Sequence, residues 1–401
     1  MTTRAMTDEV RDDLLDRGYS RRQLGRIAAA FGVGAAAASM GRPAWALGAA
    51  PAVIPGPSPA GMVRINFNEC WTGPMAPGAL AAAAIIASSN RYDPRDERND
   101  FIRTVTRVEG VPNDHVAPWP GSSDPLSRSV VTFCSPRRGL VTADPTFELA
   151  GQTARWLGAP VKRVPLTPDY AHDVKAMLAT DPNAGLYYVV TPNNPTGTVT
   201  PLADIEWLLA NKPAGSMVLV DEAYIHFAGT PTASWLVAAG KDVIVLRTFS
   251  KIFGMAGMRL GYMMARPDVI AKMMRYDGGV QSGSLPMPSL VCATASLTAA
   301  DLIAARKKEM EAARSMTLAH LAKRDLMVLP THANMFMIDW KTRPAREMQA
   351  AFLAQNVEIG RSWPIWPTRS RVTVGSMNDM AAFCAALDRV LGPPFGNVTG
   401  A

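Results

Sequence analysis

Short apolar runs alternate with segments of helical composition between residues 115 and 265, and this alternation strongly constrains the fold. The runs lie at 139–143, 159–164, 186–190, 217–220 and 243–246. A strand that is covered by helices on both faces is apolar throughout, whereas a half-exposed strand alternates. The pattern therefore predicts an α/β fold with a mostly parallel sheet and crossover helices such as 202–211.

A second, smaller domain is predicted from the pattern that follows the sheet. A long helical stretch from about 287 to 326 precedes a strand at 334–338, a helix near 345–355 and a strand at 371–374. We therefore predict an α+β small domain over 287–401. Residues 47–90 would form an N-terminal arm and the start of this small domain, and residues 91–286 would form the large domain. A chain of 401 residues is long enough for both domains.

Residues 1–46 have the composition of an export signal. Arg21 and Arg22 precede an apolar run over 27–39, and a small-x-small pattern ends at Ala46. This order is typical of a twin-arginine signal, and the run is too short and too weakly apolar to span a bilayer. We predict that the Tat translocase exports the chain, that the mature protein is periplasmic or secreted without a membrane span, and that residues 1–46 lie outside the fold.

Composition argues against several other classes of protein. The formal net charge of +7 is not concentrated in a basic block, so we predict no nucleic-acid partner. Cys70, Cys134, Cys292 and Cys384 are scattered, which argues against a zinc ribbon or a disulfide-dense scaffold but leaves one disulfide open. The five histidines are equally scattered, and we predict no metal site.

Reactive side chains follow three successive predicted strands. They are Asn194, then Asp221 with Tyr224, and then Lys251. Taken singly, Asn194 would be interpreted as a turn residue, Asp221 as a helix cap and Lys251 as a surface lysine. Open α/β sheets bind their ligands at the carboxyl ends of the strands, so together these side chains indicate a site.

This set of groups matches the needs of pyridoxal phosphate. The cofactor's pyridine ring needs a carboxylate to keep its nitrogen protonated, donors to its phenolic oxygen and an amine for its aldehyde. An amine just after a buried strand, as at Lys251, is partly removed from water and can condense with an aldehyde to form a Schiff base. The sequence therefore predicts a pyridoxal-phosphate enzyme.

Ordered motifs cover residues 63–392 and carry a family resemblance. They lie at 68–69, 73–74, 90–94, 121–124, 145–147, 191–197, 221–224, 248–251, 257–259 and 371–375. With these motifs the chain resembles the fold type I aminotransferases of class I and II, and most closely their histidinol-phosphate aminotransferase group.

The resemblance implies a role for each reactive side chain. Lys251 would hold the cofactor in a Schiff base and move the proton at the substrate Cα, with Asp221 and Tyr224 as its catalytic partners. Asp221 would pair with the ring nitrogen, and Asn194 and Tyr224 would reach the phenolic oxygen. The exchange would take place between an amino acid or related amine and a 2-oxo acid.

The resemblance also implies contacts for the rest of the cofactor and for the substrate. The residues for the cofactor phosphate would be Ser122, Ser123 and Asp124 at a helix start, with Ser250 and Arg259, and Tyr92 from the second subunit of a homodimer. Phe147 would stack on the ring, and Arg371 would bind the substrate carboxylate, with Asn68 and Trp71 at the substrate side of the pocket.

Two departures separate the chain from histidinol-phosphate aminotransferases. Residues 70–72 are Cys-Trp-Thr where that group continues as Asn-Pro-Tyr, and Asp339 stands where an arginine is expected. Both lost groups are associated with the substrate phosphate, so we expect a substrate without one. Asp339 itself is read either as an exposed loop carboxylate or as a contact for a cationic substrate.

Other functions stay open on the sequence alone. The same scaffold supports lyases, racemases and oxidative deaminases, and a histidinol-phosphate aminotransferase proper is a further alternative. An exported binding module that has kept the fold and lost activity is the alternative from another class.

Overall fold

The computed structural model describes residues 6–31, 61–276 and 285–392, and a seven-stranded sheet forms its centre. The strands are β2 (Val116–Trp119), β3 (Leu140–Asp144), β4 (Val161–Pro165), β5 (Leu186–Val190), β6 (Met217–Asp221), β7 (Val243–Thr248) and β8 (Gly261–Met264). Their order is β2-β8-β7-β6-β5-β3-β4. Strand β8 runs opposite to the other six strands of this sheet. The predicted mostly parallel α/β fold is confirmed.

The central strands are apolar because both of their faces are covered. Every residue of β5, β6 and β7 is buried. The helices of this part of the chain are α4 (Glu97–Glu109), α5 (Ser123–Phe133), α6 (Leu149–Leu157), α7 (Val174–Thr180), α8 (Leu202–Asn211), α9 (Ile225–Ala228), α10 (Ser234–Ala238) and α11 (Pro267–Met274). Parallel pairing of β5, β6 and β7 brings their carboxyl ends to one edge of the sheet.

The smaller part of the structure combines the strand at 63–65 with segments of the chain that follow residue 326. Its strands are β1 (Val63–Ile65), β9 (Met327–Val328), β10 (Met335–Asp339), β11 (Val357–Ile359) and β12 (Arg369–Thr373). Strand β1 pairs in parallel with β11, and β10 lies between antiparallel partners β9 and β12. Helices α14 (Ala345–Leu353) and α15 (Met377–Leu391) complete this part, whereas α3 (Ala76–Ile85) packs against the helix Met287–Leu297.

The long helical stretch predicted over 287–326 is two helices, α12 (Met287–Leu297) and α13 (Ala300–Ala322). They meet at an angle of 83°. The break at residues 298–299 contains neither Gly nor Pro, so no local signal predicts it. Among the described helices none is by itself long and apolar enough to cross a membrane, although this bent pair passes on length and composition together.

Residues 8–31 are part of the fold, contrary to the expectation that 1–46 lie outside it. They form α1 (Asp8–Asp16) and α2 (Arg21–Phe31), whose Leu14 and Ile27 side chains are fully buried in one core with α5 and α6. The Tyr19 hydroxyl donates to the Cys134 carbonyl at 2.7 Å. We call α1 and α2 the N-terminal hairpin. The rest of the predicted signal, including the pattern ending at Ala46, lies outside the described residues.

Candidate active site

A cavity of about 430 Å³ opens at the carboxyl ends of β5, β6 and β7. Most of the predicted site residues line it: Asn68, Ser122, Ser123, Phe147, Asn194, Asp221, Tyr224, Ser250, Lys251, Arg259 and Arg371. These residues come from positions as far apart as 68 and 371, so the fold brings together groups that the sequence separates.

Lys251 follows β7 by three residues and is half-buried in this cavity. Its Nζ donates to the Asn68 carbonyl at 3.0 Å and lies 5.3 Å from the centre of the Tyr224 ring. The Asn68 side chain in turn donates from Nδ2 to the Tyr224 hydroxyl at 3.0 Å. Asn68 thus positions both the Lys251 amine and the Tyr224 hydroxyl. Its own backbone lies in the left-handed region, with a φ of 55°.

Asp221 is a buried carboxylate at the end of β6. Its Oδ2 accepts from the Tyr188 hydroxyl at 3.0 Å, and its Oδ1 accepts from the Ala223 N–H at 3.1 Å. Burial raises the pKa of Asp221, and the Tyr188 and Ala223 hydrogen bonds and the charge of Lys251 only partly offset that rise. A protonated ring nitrogen would supply the cation that this carboxylate needs.

Arg371, on β12, enters the cavity beside Asn194. Its Nη1 donates to Asn194 Oδ1 at 2.8 Å and its Nη2 to the Asn66 carbonyl at 2.7 Å, while its Nε has no hydrogen-bond partner among the described residues. Burial lowers the pKa of Arg371 to about 10, so the group stays cationic at neutral pH. Because Asn194 uses its oxygen for Arg371, its amide NH₂ is left as a donor.

A cluster of hydrogen-bond donors also lines the cavity. Ser122 and Ser123 begin α5, where the helix N-terminus favours an anion. Arg259 Nη1 lies 3.4 Å from Ser250 Oγ. A Cβ on Gly121, whose φ is +88°, would come within 2.4 Å of Arg259 Nη2, so this cluster requires glycine there. These donors fit a phosphate dianion.

Four predicted or discussed residues lie elsewhere. Trp71 does not line the cavity but packs against the hydrophobic core, so the structure does not support its predicted place at the substrate. Asp124 is in the first turn of α5, where its carboxylate accepts from Arg128 Nε at 2.7 Å. Tyr92 is fully exposed and outside the cavity of its own chain. Asp339 accepts from Arg369 Nε at 2.9 Å, so it is not a free loop carboxylate, and it does not line the cavity.

The sequence analysis missed three residues in or beside the cavity: Tyr188, Arg361 and Glu148. Tyr188, the donor to Asp221, lies in the middle of β5. The one feature that could have indicated it is a pair of adjacent tyrosines in an otherwise aliphatic, buried strand. Arg361 lines the cavity and pairs with Glu148, which directly follows Phe147. No spacing in the sequence joins positions 148 and 361, so only the fold reveals this pair.

The structure also bears on metals and disulfides. Within the described ranges, no group of three or more His, Cys, Asp or Glu side chains is arranged to hold a metal ion. All four cysteines are described, and each is free.

The cavity fits pyridoxal phosphate on three independent observations. They are the buried carboxylate of Asp221 that lacks a full counter-charge, the donor cluster around Arg259, and the amine of Lys251 in the same cavity. When bound, the cofactor supplies an electron sink for charge that develops at the substrate Cα. The protein would bind its phosphate at Ser122, Ser123, Ser250 and Arg259 and hold a proton on its ring nitrogen with Asp221.

Comparison with known proteins agrees with this geometry. The model of the family described as aminotransferase class I and II matches residues 78–387. The chain is 31% identical to an aromatic amino acid aminotransferase of Rhodococcus jostii, over 84% of this chain and 92% of that protein. It is also 31% identical to a histidinol-phosphate aminotransferase of Symbiobacterium thermophilum, over 82% of this chain and 91% of the relative.

Solved structures show the same architecture. A putative histidinol-phosphate aminotransferase from Erwinia carotovora atroseptica superposes with a TM-score of 0.77 at 30% identity, covering 84% of this chain and 97% of that one. The histidinol-phosphate aminotransferase from Sinorhizobium meliloti, solved in complex with pyridoxal-5'-phosphate, gives 0.73 at 23% identity, covering 82% and 91%. The family match and the cavity together lead to one conclusion: the chain belongs to the class I and II aminotransferases and is a pyridoxal-phosphate-dependent aminotransferase.

Proposed function

We propose that this enzyme moves the amino group of an amino acid, or of a related amine, to a 2-oxo acid. The observation that carries the proposal is Arg371, a buried cation that faces the cavity with its Nε unpartnered among the described residues. A planar guanidinium binds a carboxylate through two parallel hydrogen bonds, and both an amino acid and a 2-oxo acid present such a group.

The protein's own groups then perform the proton transfers. With the substrate carboxylate at Arg371, the Lys251 amine, once the substrate amine has replaced it on the cofactor, is the base that takes the proton from the substrate Cα. Asn68 holds that amine through its carbonyl, and Tyr224 lies beside it. Arg371 and Lys251 thus fix which substrate atom loses its proton.

The type of substrate is a separate part of the proposal. The two relatives above are named for aromatic amino acids and for histidinol phosphate. We favour a substrate without phosphate because of the two sequence departures from the histidinol-phosphate group, at residues 70–72 and at Asp339. Asp339 does not line the cavity of its own chain, so the departures alone support this choice. Histidinol phosphate is therefore included in the test below as the competing substrate.

A substrate panel tests this proposal. Purified enzyme with bound cofactor is mixed with single amino acids, including aromatic ones, and with histidinol phosphate, without an acceptor. We expect the pyridoxamine form of the cofactor to accumulate with an unphosphorylated amino acid and no ammonia to be released. Release of ammonia or peroxide without an acceptor refutes amino transfer, and turnover of histidinol phosphate alone refutes the proposed substrate type.

We also propose that the active enzyme is a homodimer. Tyr92 is fully exposed. This exposure is expected of a residue that completes the phosphate site of a second copy of the chain. The motif that contains Tyr92, at 90–94, precedes α4 and lies outside the cavity of its own chain.

Export by the Tat pathway is a further proposal. It is supported by the sequence pattern and by the exposure of Arg21 and Arg22 at the start of α2, where a receptor can reach them. Replacing both with lysine should keep the enzyme in the cytoplasm, whereas Arg26→Lys should leave its location unchanged. Cell fractionation with an activity assay measures this, and unchanged export of the double variant refutes the proposal.

A further inference from the structure

An ion pair lies within α5, the helix whose first residues line the cofactor cavity. Arg128 donates from Nε to Asp124 Oδ1 at 2.7 Å, and Asp124 is four residues earlier on the same helix. The Arg128 side chain is fully buried, whereas that of Asp124 is 21% exposed. Burying a guanidinium is costly, and an ion pair often fails to repay that cost. The pair is therefore weak evidence for a purely stabilising role.

Contacts from two other elements fix the Arg128 guanidinium. Its carbon lies 4.9 Å from the ring centre of Trp119, the last residue of β2, and its Nη1 donates to the Met273 carbonyl on α11 at 3.4 Å. The Trp119 carbonyl in turn accepts from the Gly121 N–H at 2.7 Å, in the turn that leads into α5. Arg128 is thus anchored beneath this turn, and its hydrogen bond holds the Asp124 carboxylate on the same side.

Asp124 carries a negative charge close to the place where the cofactor phosphate would bind. Ser122 and Ser123 line the cavity at the start of α5, and Asp124 is the next residue, a rise of about 1.5 Å along the helix axis. A carboxylate in the first turn interacts favourably with the helix dipole, but it repels a second anion at the same helix end. Without Arg128, the Asp124 carboxylate would therefore oppose the binding of a phosphate dianion.

We propose that Arg128 is a positioning residue for the cofactor phosphate, because it neutralises Asp124 and holds that carboxylate out of the cavity. The pair is electrically neutral as a whole, so the positive end of α5 remains available to the phosphate. Arg128 is not among the residues that line the cavity, and it acts through Asp124 rather than by touching the cofactor. The inference concerns the phosphate site alone and does not depend on which substrate the enzyme uses.

Binding of the cofactor with and without its phosphate tests this role independently of catalysis. The cofactor-free full chain is titrated with pyridoxal phosphate and with pyridoxal, and binding is followed by the visible absorbance of the bound ligand. The ratio of the two dissociation constants measures the contribution of the phosphate. Arg128→Met leaves the Asp124 charge unneutralised, so it should weaken the binding of pyridoxal phosphate about tenfold and leave that of pyridoxal unchanged.

Asp124→Asn and the double variant separate an effect of charge from an effect of structure. Asp124→Asn removes the negative charge and keeps the positive one, so it should strengthen the binding of pyridoxal phosphate about threefold or more. Combining it with Arg128→Met makes the pair neutral again and should return the affinity to within about twofold of the wild type. A purely structural pair would instead lose affinity for both ligands in each single variant, without recovery in the double variant.

Arg17→Met is the matched control for the loss of a positive charge next to α5. Arg17 pairs with Asp13 four residues earlier and donates to the Val131 carbonyl near the other end of α5, away from the cavity. The control should leave the ratio of the two dissociation constants unchanged. Arg128→Lys keeps the charge and should retain a ratio close to that of the wild type.

Three results would overturn the proposal. The first is an unchanged ratio of the dissociation constants in Arg128→Met, and the second is a failure of the double variant to recover the binding of pyridoxal phosphate. The third is equal or weaker binding of pyridoxal phosphate in Asp124→Asn. If Arg128→Met does not fold, Asp124→Asn decides the question by itself, because only the charge-based role predicts tighter binding there.

Discussion

At the scale of single residues, the site depends on charges that the fold has removed from water. Asp221 and the Lys251 amine line one cavity, the Tyr188 hydroxyl donates to Asp221, and the protein alone does not fully compensate the buried Asp221 charge. Such an arrangement costs stability until a ligand completes it. Asp221, Asn194 and Lys251 were predicted from the sequence because each follows an apolar strand, whereas Tyr188 lies within a strand and was missed.

Asp221→Asn should make the cofactor-free protein more stable at neutral pH. The pKa of Asp221 is raised by burial, so the folded state holds the proton to higher pH than the unfolded chain does. Stability is therefore lost as pH rises from the carboxyl's ordinary value through the raised one, and asparagine avoids that loss. Thermal unfolding between pH 3.5 and 8 measures the effect, which should vanish at the acidic end.

With the cofactor bound, the wild type should become the more stable of the two proteins. With pyridoxal phosphate added, the wild type should gain more stability than Asp221→Asn, because only the carboxylate pairs with a protonated ring nitrogen. A cofactor-free Asp221→Asn protein that is less stable than the wild type at pH 7 would contradict this account of the buried charge.

At the scale of secondary-structure elements, burial explains both the accurate and the wrong predictions. The strands β5, β6 and β7 were predicted within two residues because uninterrupted apolar runs leave few alternatives. The break between α12 and α13 depends on tertiary packing and has no local signal. The N-terminal hairpin was excluded from the fold because its Arg-Arg and Ala-rich pattern was read as a signal, although Leu14 and Ile27 are core residues.

Leu14→Ala tests whether the N-terminal hairpin belongs to the folded domain. Leu14 is fully buried, so the substitution should lower the free energy of unfolding of the full chain by about 2–5 kcal/mol. Leu15→Ala, on the same helix but 36% exposed, is the control and should change it by at most about 0.5 kcal/mol. Urea unfolding followed by circular dichroism makes the comparison, and equal effects of the two substitutions would show that the hairpin is not docked.

At the scale of the whole molecule, one chain does not account for every predicted cofactor contact. The cavity contains the donors of its own chain, but Tyr92 points to solvent, fully exposed. The dimer proposal explains both facts, because a second copy would supply Tyr92 to the phosphate site and receive one in return.

Mixed assembly of two inactive variants tests the dimer directly. Lys251→Ala and Tyr92→Ala should each be nearly inactive alone. In a mixed dimer, one cavity combines an intact Lys251 with the partner's intact Tyr92, so random assembly should restore about a quarter of wild-type activity. A mixture refolded together and assayed for amino transfer measures this, with the two proteins folded separately and then combined as the control. Failure to recover activity although mixed dimers form would contradict a shared site.

The central claim is that Lys251 is the residue that carries the cofactor, and chemical trapping tests it most directly. The purified enzyme with pyridoxal phosphate is reduced with borohydride, digested and mapped by mass spectrometry. We predict a phosphopyridoxyl group on the peptide that contains Lys251, and no stable visible absorbance from the cofactor in Lys251→Ala. Labelling of another lysine instead, such as the exposed Lys241, or of none, would contradict the account.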